Sequence, residues 1–383
     1  MTSTVLITRE PIINRNQAIT ANRLVVHATN VADAVETLDS LSDIWPHHYA
    51  VFVSLARLVP TPELLRWQPP SNTMIEVPVQ VLDHPHAREL IDQLIAQDVG
   101  ICLSWFRENT VLPAELNCRF TLVDIRKDMS THDAPGIPIA WGLPDEDAFQ
   151  QAVENGFGGA SGLFFLRYDP DNADFDVAYN YAKIVHLIDL VHNQADIREI
   201  ESLLQQDVAL AWYLLRRINS YGFDIDEEIK SFRDAVNVLG YQQLSQWLHA
   251  QIATISFTDT AAVFMQTALA RAHFMEEIGA DRFDEEGRKK LFITGSFSLL
   301  SDRIGALTRS AIANIPLAED VLEALADGKG PYAPYLKLAR ACEQFSPSVL
   351  QQQANELGIP YQNINRALIN ALETVDALQS SQR

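Results

Sequence analysis

Two hydrophobic periodicities divide the chain. From Val5 to about Leu166 short apolar runs alternate with amphipathic stretches; beyond them, apolar residues recur at three- and four-residue steps. Strand-like segments are VLITREPII (5–13), ANRLVVHA (21–28), YAVFVSLA (49–56), MIEVPVQ (74–80), GICLSWF (100–106), RFTLVDI (119–125), IPIAWG (137–142) and SGLFFL (161–166). Helical patterns separate them at 30–41, 86–98 and 145–156. Repeated strand–helix–strand units predict an α/β domain with a mostly parallel sheet, open or closed into a barrel. The segment is shorter than the ~250 residues of a typical (β/α)₈ barrel, so a trimmed or incomplete barrel is expected. The glycine-rich run 156–162 follows a helix and enters a strand. That is the reverse of a phosphate-cradling loop, so it reads as a turn.

Tyr168 to Asp174 is polar and turn-rich, and past it strand signals vanish. The expected division is an N-terminal domain over 1–168, a linker over 169–175 and an all-α domain over 176–383. Helices are predicted over 176–192, 195–206, 208–219, 227–238, 241–253, 258–279, 284–303, 305–313, 317–326, 331–345, 347–357 and 360–379. Pro347 and Pro360 suit first helical positions, and Gly222, Gly240, Gly328 and Gly358 suit helix ends. The most regular stretch is 195–240. Within it Asp207 is placed to cap a helix, Asn219, Ser220 and Gly222 to end one, and Trp212 and Tyr213, with Trp247 beyond it, to pack between helices.

Composition narrows the function classes. The formal net charge of −21 repels phosphate backbones and anionic lipid surfaces, so neither nucleic acid nor a membrane is expected as a partner. Arg288-Lys289-Lys290 follows acidic Asp284, Glu285 and Glu286, and reads as a solvated helix face. The 3 cysteines, Cys102, Cys118 and Cys342, are widely spaced and fit a reducing compartment. With no leader pattern after Met1 and no apolar run of membrane-spanning length, a cytoplasmic location is expected. His84 and His86 flank a strand-to-helix loop, and His47-His48 are adjacent; capping or solvent exposure is the expectation for all four.

REPIINRNQAITANRLVVHA, followed in order by VFVSLARLV, MIEVPVQVLDHPHARELIDQLIAQDVGICLSWF, RFTLVDIRK and GFGGASGLFFLR, resembles EAL domains, the barrel phosphodiesterases of cyclic di-GMP. Such enzymes hold two divalent cations on carboxylates and an Asn at strand ends. On this resemblance the motif Glu falls on Arg23 and the Asn after the third strand on Ser54. The paired aspartates fall on Ser104 and Trp105, the catalytic Lys on Leu122, and the late Glu near Trp141. Only Glu76 and Asp124 match acidic family positions. The resemblance therefore implies a degenerate site in which Arg23 sits where a metal would. The candidate ligand positions are Arg23, Ser54, Glu76, Ser104, Trp105, Asp124 and Trp141, with no catalytic residue, metal or cofactor expected.

In the second half, LLQQDVALAWYLLRRINSYGF, IKSFRDAVNVLGYQQLSQWL, ALARAHFMEEI and LFITGSFSLLSDRIG resemble the HDOD domain, a relative of HD hydrolases that has lost its metal ligands. Ser298-Leu299 stands where the His-Asp dipeptide would fall; His186, His192, His249 and His273 are scattered, and Asp302 has no adjacent histidine. Ser296 and Ser298 lie outside any GxSxG elbow. The pair of resemblances implies an EAL–HDOD signalling protein of bacteria, expected not to be an enzyme and to act as a regulatory scaffold for signalling proteins. The alternative is a receptor that binds cyclic di-GMP or another nucleotide at the barrel mouth, and a third reading is a metal-dependent phosphodiesterase. A mouth closed by Trp105, Trp141 or an element of the second half would argue against the receptor.

Overall fold

The structure is a computed structural model that describes residues 4–83, 85–112, 116–127, 130–166, 186–205, 233–234, 236–238, 240–242, 244–245, 261–304, 308 and 317–380. The expected linker, His84, His249, Asp207, Trp212, Tyr213, Asn219, Ser220, Gly222 and Trp247 lie outside these residues.

The N-terminal half is a closed barrel of strands in sequential order: β1 (Leu6–Asn14), β2 (Ile19–His27), β3 (Ala50–Ser54), β4 (Thr73–Pro78), β5 (Gly100–Phe106), β6 (Phe120–Asp124), β7 (Ile137–Trp141) and β8 (Gly159–Ser161). β1 runs antiparallel to both of its neighbours, β2 and β8, while every other pair is parallel. Asn14 makes the tight β1–β2 hairpin, its side-chain oxygen accepting from the Asn16 and Ala18 amides. Side chains alternate as the pleat requires. Ile12, Ala21, Phe52, Met74, Cys102, Leu122 and Ile139 fill the barrel, and the intervening Leu24, Val51, Val53, Ile75, Ile101, Leu103 and Val123 join a larger core outside it.

The sheet itself is complete; the outer helical layer is what is trimmed. Among the described residues α1 (Val31–Asp39) follows β2, α2 (Pro85–Ala96) follows β4 and α3 (Glu146–Glu154) follows β7, but no α-helix links β5 to β6 or β6 to β7. Asn30 and Asp145 cap α1 and α3 by accepting from the amides of Asp33 and Ala148, each at 2.9 Å. One reading of the sequence needs correction. The last strand is not SGLFFL: β8 lies inside the glycine run read as a turn, and Phe164–Leu166 form a 3₁₀ turn. A Cβ at Gly159 would lie 2.3 Å from the Ile13 carbonyl oxygen, so glycine is what lets β8 approach β1 and close the barrel. Phe164 stacks on Phe149 of α3 with ring centroids 4.8 Å apart, so this apolar run packs against a helix and not in the sheet.

The second half is helical throughout its described residues. Residues 186–192 are helical, followed by α4 (Ile197–Gln205), α5 (Ala261–Ile278), α6 (Glu285–Ile304), α7 (Glu319–Leu322), α8 (Ala333–Cys342), α9 (Pro347–Leu357) and α10 (Tyr361–Ser380). A π turn over Glu323–Asp327 extends α7 to Gly328, which takes the left-handed conformation at φ 64°. Helices α5 and α6 approach closely because Gly295 lacks a Cβ, which would sit 2.6 Å from the Cα of Ala272. The helix expected over 331–345 stops at Cys342. Ser346, preceding Pro347, is extended as pre-proline residues prefer, and this leaves a turn over 343–346.

The halves meet at β1. Asn365 of α10 accepts from the Ile7 amide and donates to the Val5 carbonyl, both at 2.9 Å, and so behaves as a fragment of a strand. Arg366 pairs with Asp43 at 2.7 Å beside it.

Candidate functional site at the barrel mouth

In a (β/α) barrel, chemistry gathers at the carboxyl ends of the parallel strands. Here those ends carry His27, Ser54, Glu76, Ser104, Asp124, Trp141 and Ser161, and antiparallel β1 brings Glu10 beside them through its register with Arg23. Arg23 is the centre. Its Nε and Nη2 donate to Glu76 at 2.8 and 3.0 Å, a bidentate fork, and its Nη1 donates to Glu10 at 2.7 Å. The Arg23 and Glu76 side chains are each only 2% exposed. Burial alone would lower the Arg23 pKa, but the charges and hydrogen bonds of Glu76 and Glu10 overcome it and raise the value. Glu10 also accepts from Trp141 Nε1 at 3.3 Å and Ser161 Oγ at 3.1 Å.

Aromatic rings roof this pair. Trp141 stands edge-on to Trp105 at 5.4 Å, and Phe345, from the turn after α8, packs at 5.5 Å from Trp141 and 6.3 Å from His27. The Arg23 guanidinium lies 5.5 Å from Trp141 and 5.7 Å from Phe345. Trp105 takes a left-handed φ of 61°, which breaks the β5 register and turns its ring over the mouth. Asp124 is bound by Arg126 at 2.8 and 2.9 Å, and Arg126 in turn lies 4.6 Å from the Trp141 ring. Burial would raise the Asp124 pKa; hydrogen bonds and charge from Arg126 hold it below the usual carboxylate range. His27, bonded to Thr8 at 3.0 Å, is pushed down to about 4 by burial, then by Arg23 and Arg57.

The structure thus places all seven predicted positions at the mouth. It joins Arg23 to Glu76 directly, leaves Asp124 bound to Arg126, and surrounds them with Ser54, Ser104, Trp105 and Trp141. Sequence reasoning missed Glu10, Arg126 and Phe345. Glu10 was legible only with β1 known to be antiparallel, and Phe345 only with α8 known to end early. The residues do not fit a two-cation site of EAL type. A guanidinium holds both oxygens of Glu76, Asp124 is bound by an arginine, and no group of three or more potential ligands is assembled among the described residues.

The helical half brings together two histidines that looked scattered. His192 and His273 flank Glu276, each with a nitrogen 3.7 Å from one of its oxygens, and His192 stacks on Phe292 at 4.5 Å. Burial would raise Glu276, but the two histidines bring it down to about 2. His186 is pushed down to about 4 by burial. Ser298 and Asp302 belong to an ion-pair network: Arg271 binds Glu343 at 2.5 Å, Asp302 at 2.5 Å and Ser298 at 3.0 Å.

A closed barrel joined to a helical domain defines the class of this two-domain chain. Residues 177–314 match the family model of the HDOD domain, so the helical half carries an HDOD domain. Among curated proteins, the cyclic di-GMP phosphodiesterase CdgJ of Vibrio cholerae serotype O1 is 27% identical over 61% of this chain and 54% of its own length. The uncharacterized protein YuxH of Bacillus subtilis (strain 168) is 22% identical over 62% of this chain and 59% of its own. The chain thus spans between half and two thirds of these relatives' length. Among solved structures, the EAL domain of Mycobacterium smegmatis DcpA aligns with 42% of this chain and 90% of its own at 14% identity and a TM-score of 0.33. A standalone EAL protein of Vibrio cholerae O395, bound to c-di-GMP, aligns with 42% of this chain and 91% of its own at 14% identity and a TM-score of 0.34. At these values nothing about chemistry transfers from the solved structures.

The first relative corrects one expectation. The sequence was read as that of a protein that is not an enzyme, on the ground that the EAL motif had lost its ligands; a similar protein named as a phosphodiesterase overturns that reading. No described helix is long and apolar enough to cross a membrane.

Proposed function

We propose that the chain is a regulatory component of cyclic di-GMP signalling that works by contacting other signalling proteins. The observation that carries this is the state of the barrel mouth: Arg23 pairs with both Glu76 and Glu10 from within the chain, beneath Trp141 and Phe345. Such a mouth is filled by the protein's own side chains, which leaves the exposed surfaces of the two domains as the places for specific contact. The relation to a named cyclic di-GMP phosphodiesterase supports the signalling context. The test is affinity capture with the full chain, paired with an assay of the same preparation for cyclic di-GMP cleavage in manganese. Recovery of a diguanylate cyclase or response regulator that rebinds when purified is the expected result. Failure to recover any such protein, or recovery of one that does not rebind when purified, would overturn it; cleavage in the same preparation decides whether the chain also acts as an enzyme.

A second reading has one observation in its favour. Trp105, Trp141, Arg126 and Lys127 place aromatic rings beside cations at the mouth, with Lys127 5.1 Å from the Trp105 ring. That is chemistry suited to a nucleotide. Calorimetric titration with cyclic di-GMP separates the readings, since saturable micromolar binding would favour the receptor.

A further inference from the structure

We propose that the turn over 343–346 is a latch that couples the HDOD domain to the barrel mouth, with Phe345 as its bolt and Glu343 as its anchor. At one end, Phe345 is packed with the residues that fill the barrel, against Trp141, His27 and the Arg23 guanidinium. At the other end, two residues away, Glu343 is held by Arg271 of α5 through three hydrogen bonds of 2.9, 2.9 and 2.5 Å. Arg271 is itself fixed to α6 through Ser298 and Asp302, and Asp302 also accepts from Arg340 of α8 at 2.6 Å. Helices α5 and α6 lie within the stretch that matches the HDOD family, whereas α8, the turn and α9 lie beyond it. The only backbone between anchor and bolt is Gln344.

Burial makes this connection stiff. The Arg271 side chain is 3% exposed and Glu343 6%, so neither charge can exchange its partner for water without desolvation cost. Arg9, buried on the outer face of β1, lines a small cavity with Arg271, Cys342 and Glu343, so the anchor also abuts the barrel wall. A shift of α5 against α6 that loosens the fork on Glu343 would free the turn, withdraw Phe345 and bare the face of Trp141 and the guanidinium of Arg23. Two discrete arrangements of a packed turn are the kind of element through which distant sites can be linked. The latch is a property of this chain alone and stands independently of the partners proposed above.

The test reads mouth opening through a thiol. Ser104 is buried inside the mouth, and the native cysteines are all buried, so Ser104→Cys in the full chain gives a reporter for alkylation by N-ethylmaleimide under native conditions. Phe345→Ala is expected to speed labelling at least about tenfold, as local opening no longer has to lift the ring. Glu343→Gln, which keeps the shape but loses the charge, and Arg271→Lys, which keeps the charge but loses the fork, are expected to speed it by several fold. Arg366→Gln, which removes an ion pair outside the network, serves as the control and is expected to leave the rate unchanged. If Arg271→Lys does not fold, Glu343→Gln decides. Labelling unchanged by Phe345→Ala overturns the bolt, and labelling raised by Phe345→Ala but untouched by Glu343→Gln overturns the coupling.

Discussion

Replacing Arg23 by methionine removes the cation on which the barrel mouth is built. The variant leaves Glu76, 2% exposed, without its bidentate partner, and Glu10, 12% exposed, with only Trp141 and Ser161. Breaking a buried ion pair by deleting one member costs about 3–5 kcal/mol. Because Glu10 keeps two neutral donors and some contact with water, the lower end, about 3 kcal/mol, is expected. Removing both charges in Arg23→Met/Glu76→Gln should recover much of this loss, giving a coupling of at least about 2 kcal/mol in the double-mutant cycle. Hydrogen exchange of peptides from β2 and β4 is the suitable assay, since it reads the barrel without assuming that both domains unfold together. A loss of 3 kcal/mol appears as exchange roughly a hundredfold faster. If Arg23→Met stays within about 0.5 kcal/mol of the parent, as surface substitutions do, the guanidinium does not hold the mouth and the reasoning fails.

Burial carries Asp376 of α10 up to about 8, against the pull of Arg9. A carboxyl raised in the folded state contributes stability that is full at acid pH and lost as pH climbs towards 8. Asp376→Asn should therefore melt higher than the parent at pH 8 but not at pH 4.5, and an equal difference at both would refute this. Gly159→Ala pushes a Cβ into the Ile13 carbonyl and should cost about 1–3 kcal/mol, with faster exchange in β1 and β8 but not in β4. Asn365→Ala strips the Ile7 amide of its side-chain acceptor and should cost about 1–3 kcal/mol. A slow Ile7 amide in that variant would show that α10 does not anchor β1.

The fold was legible because its signals are local. Strand alternation and helix periodicity marked all the barrel strands but β8, whose three residues lie within a glycine-rich run and take strand form by pairing with β1 and β7. The helical half followed in part from its caps: Gly328 and Gly358 stand at helix ends, as the sequence placed them, and take the left-handed conformation there. The site was legible in part. Arg23 and Glu76 were singled out by their place in a resembling motif, but the motif could not say that they bond to each other. Glu10 enters by antiparallel register, Arg126 by a side chain folding back two residues onto Asp124, and Phe345 from more than three hundred residues away. Such contacts are set by tertiary packing and leave no periodic trace. The same holds for His192 and His273, scattered along the chain yet brought to either side of Glu276 by helix packing.

The central claim is that an internal guanidinium occupies the barrel mouth where divalent cations would sit in an EAL enzyme. Diffraction from crystals of the full chain grown with manganese, recorded at the manganese edge, tests it most directly. The expected map shows the Arg23 guanidinium flat against Glu76 and Glu10 with no anomalous peak beside them. Anomalous peaks on Glu76, with Arg23 swung away and Phe345 displaced, would contradict it.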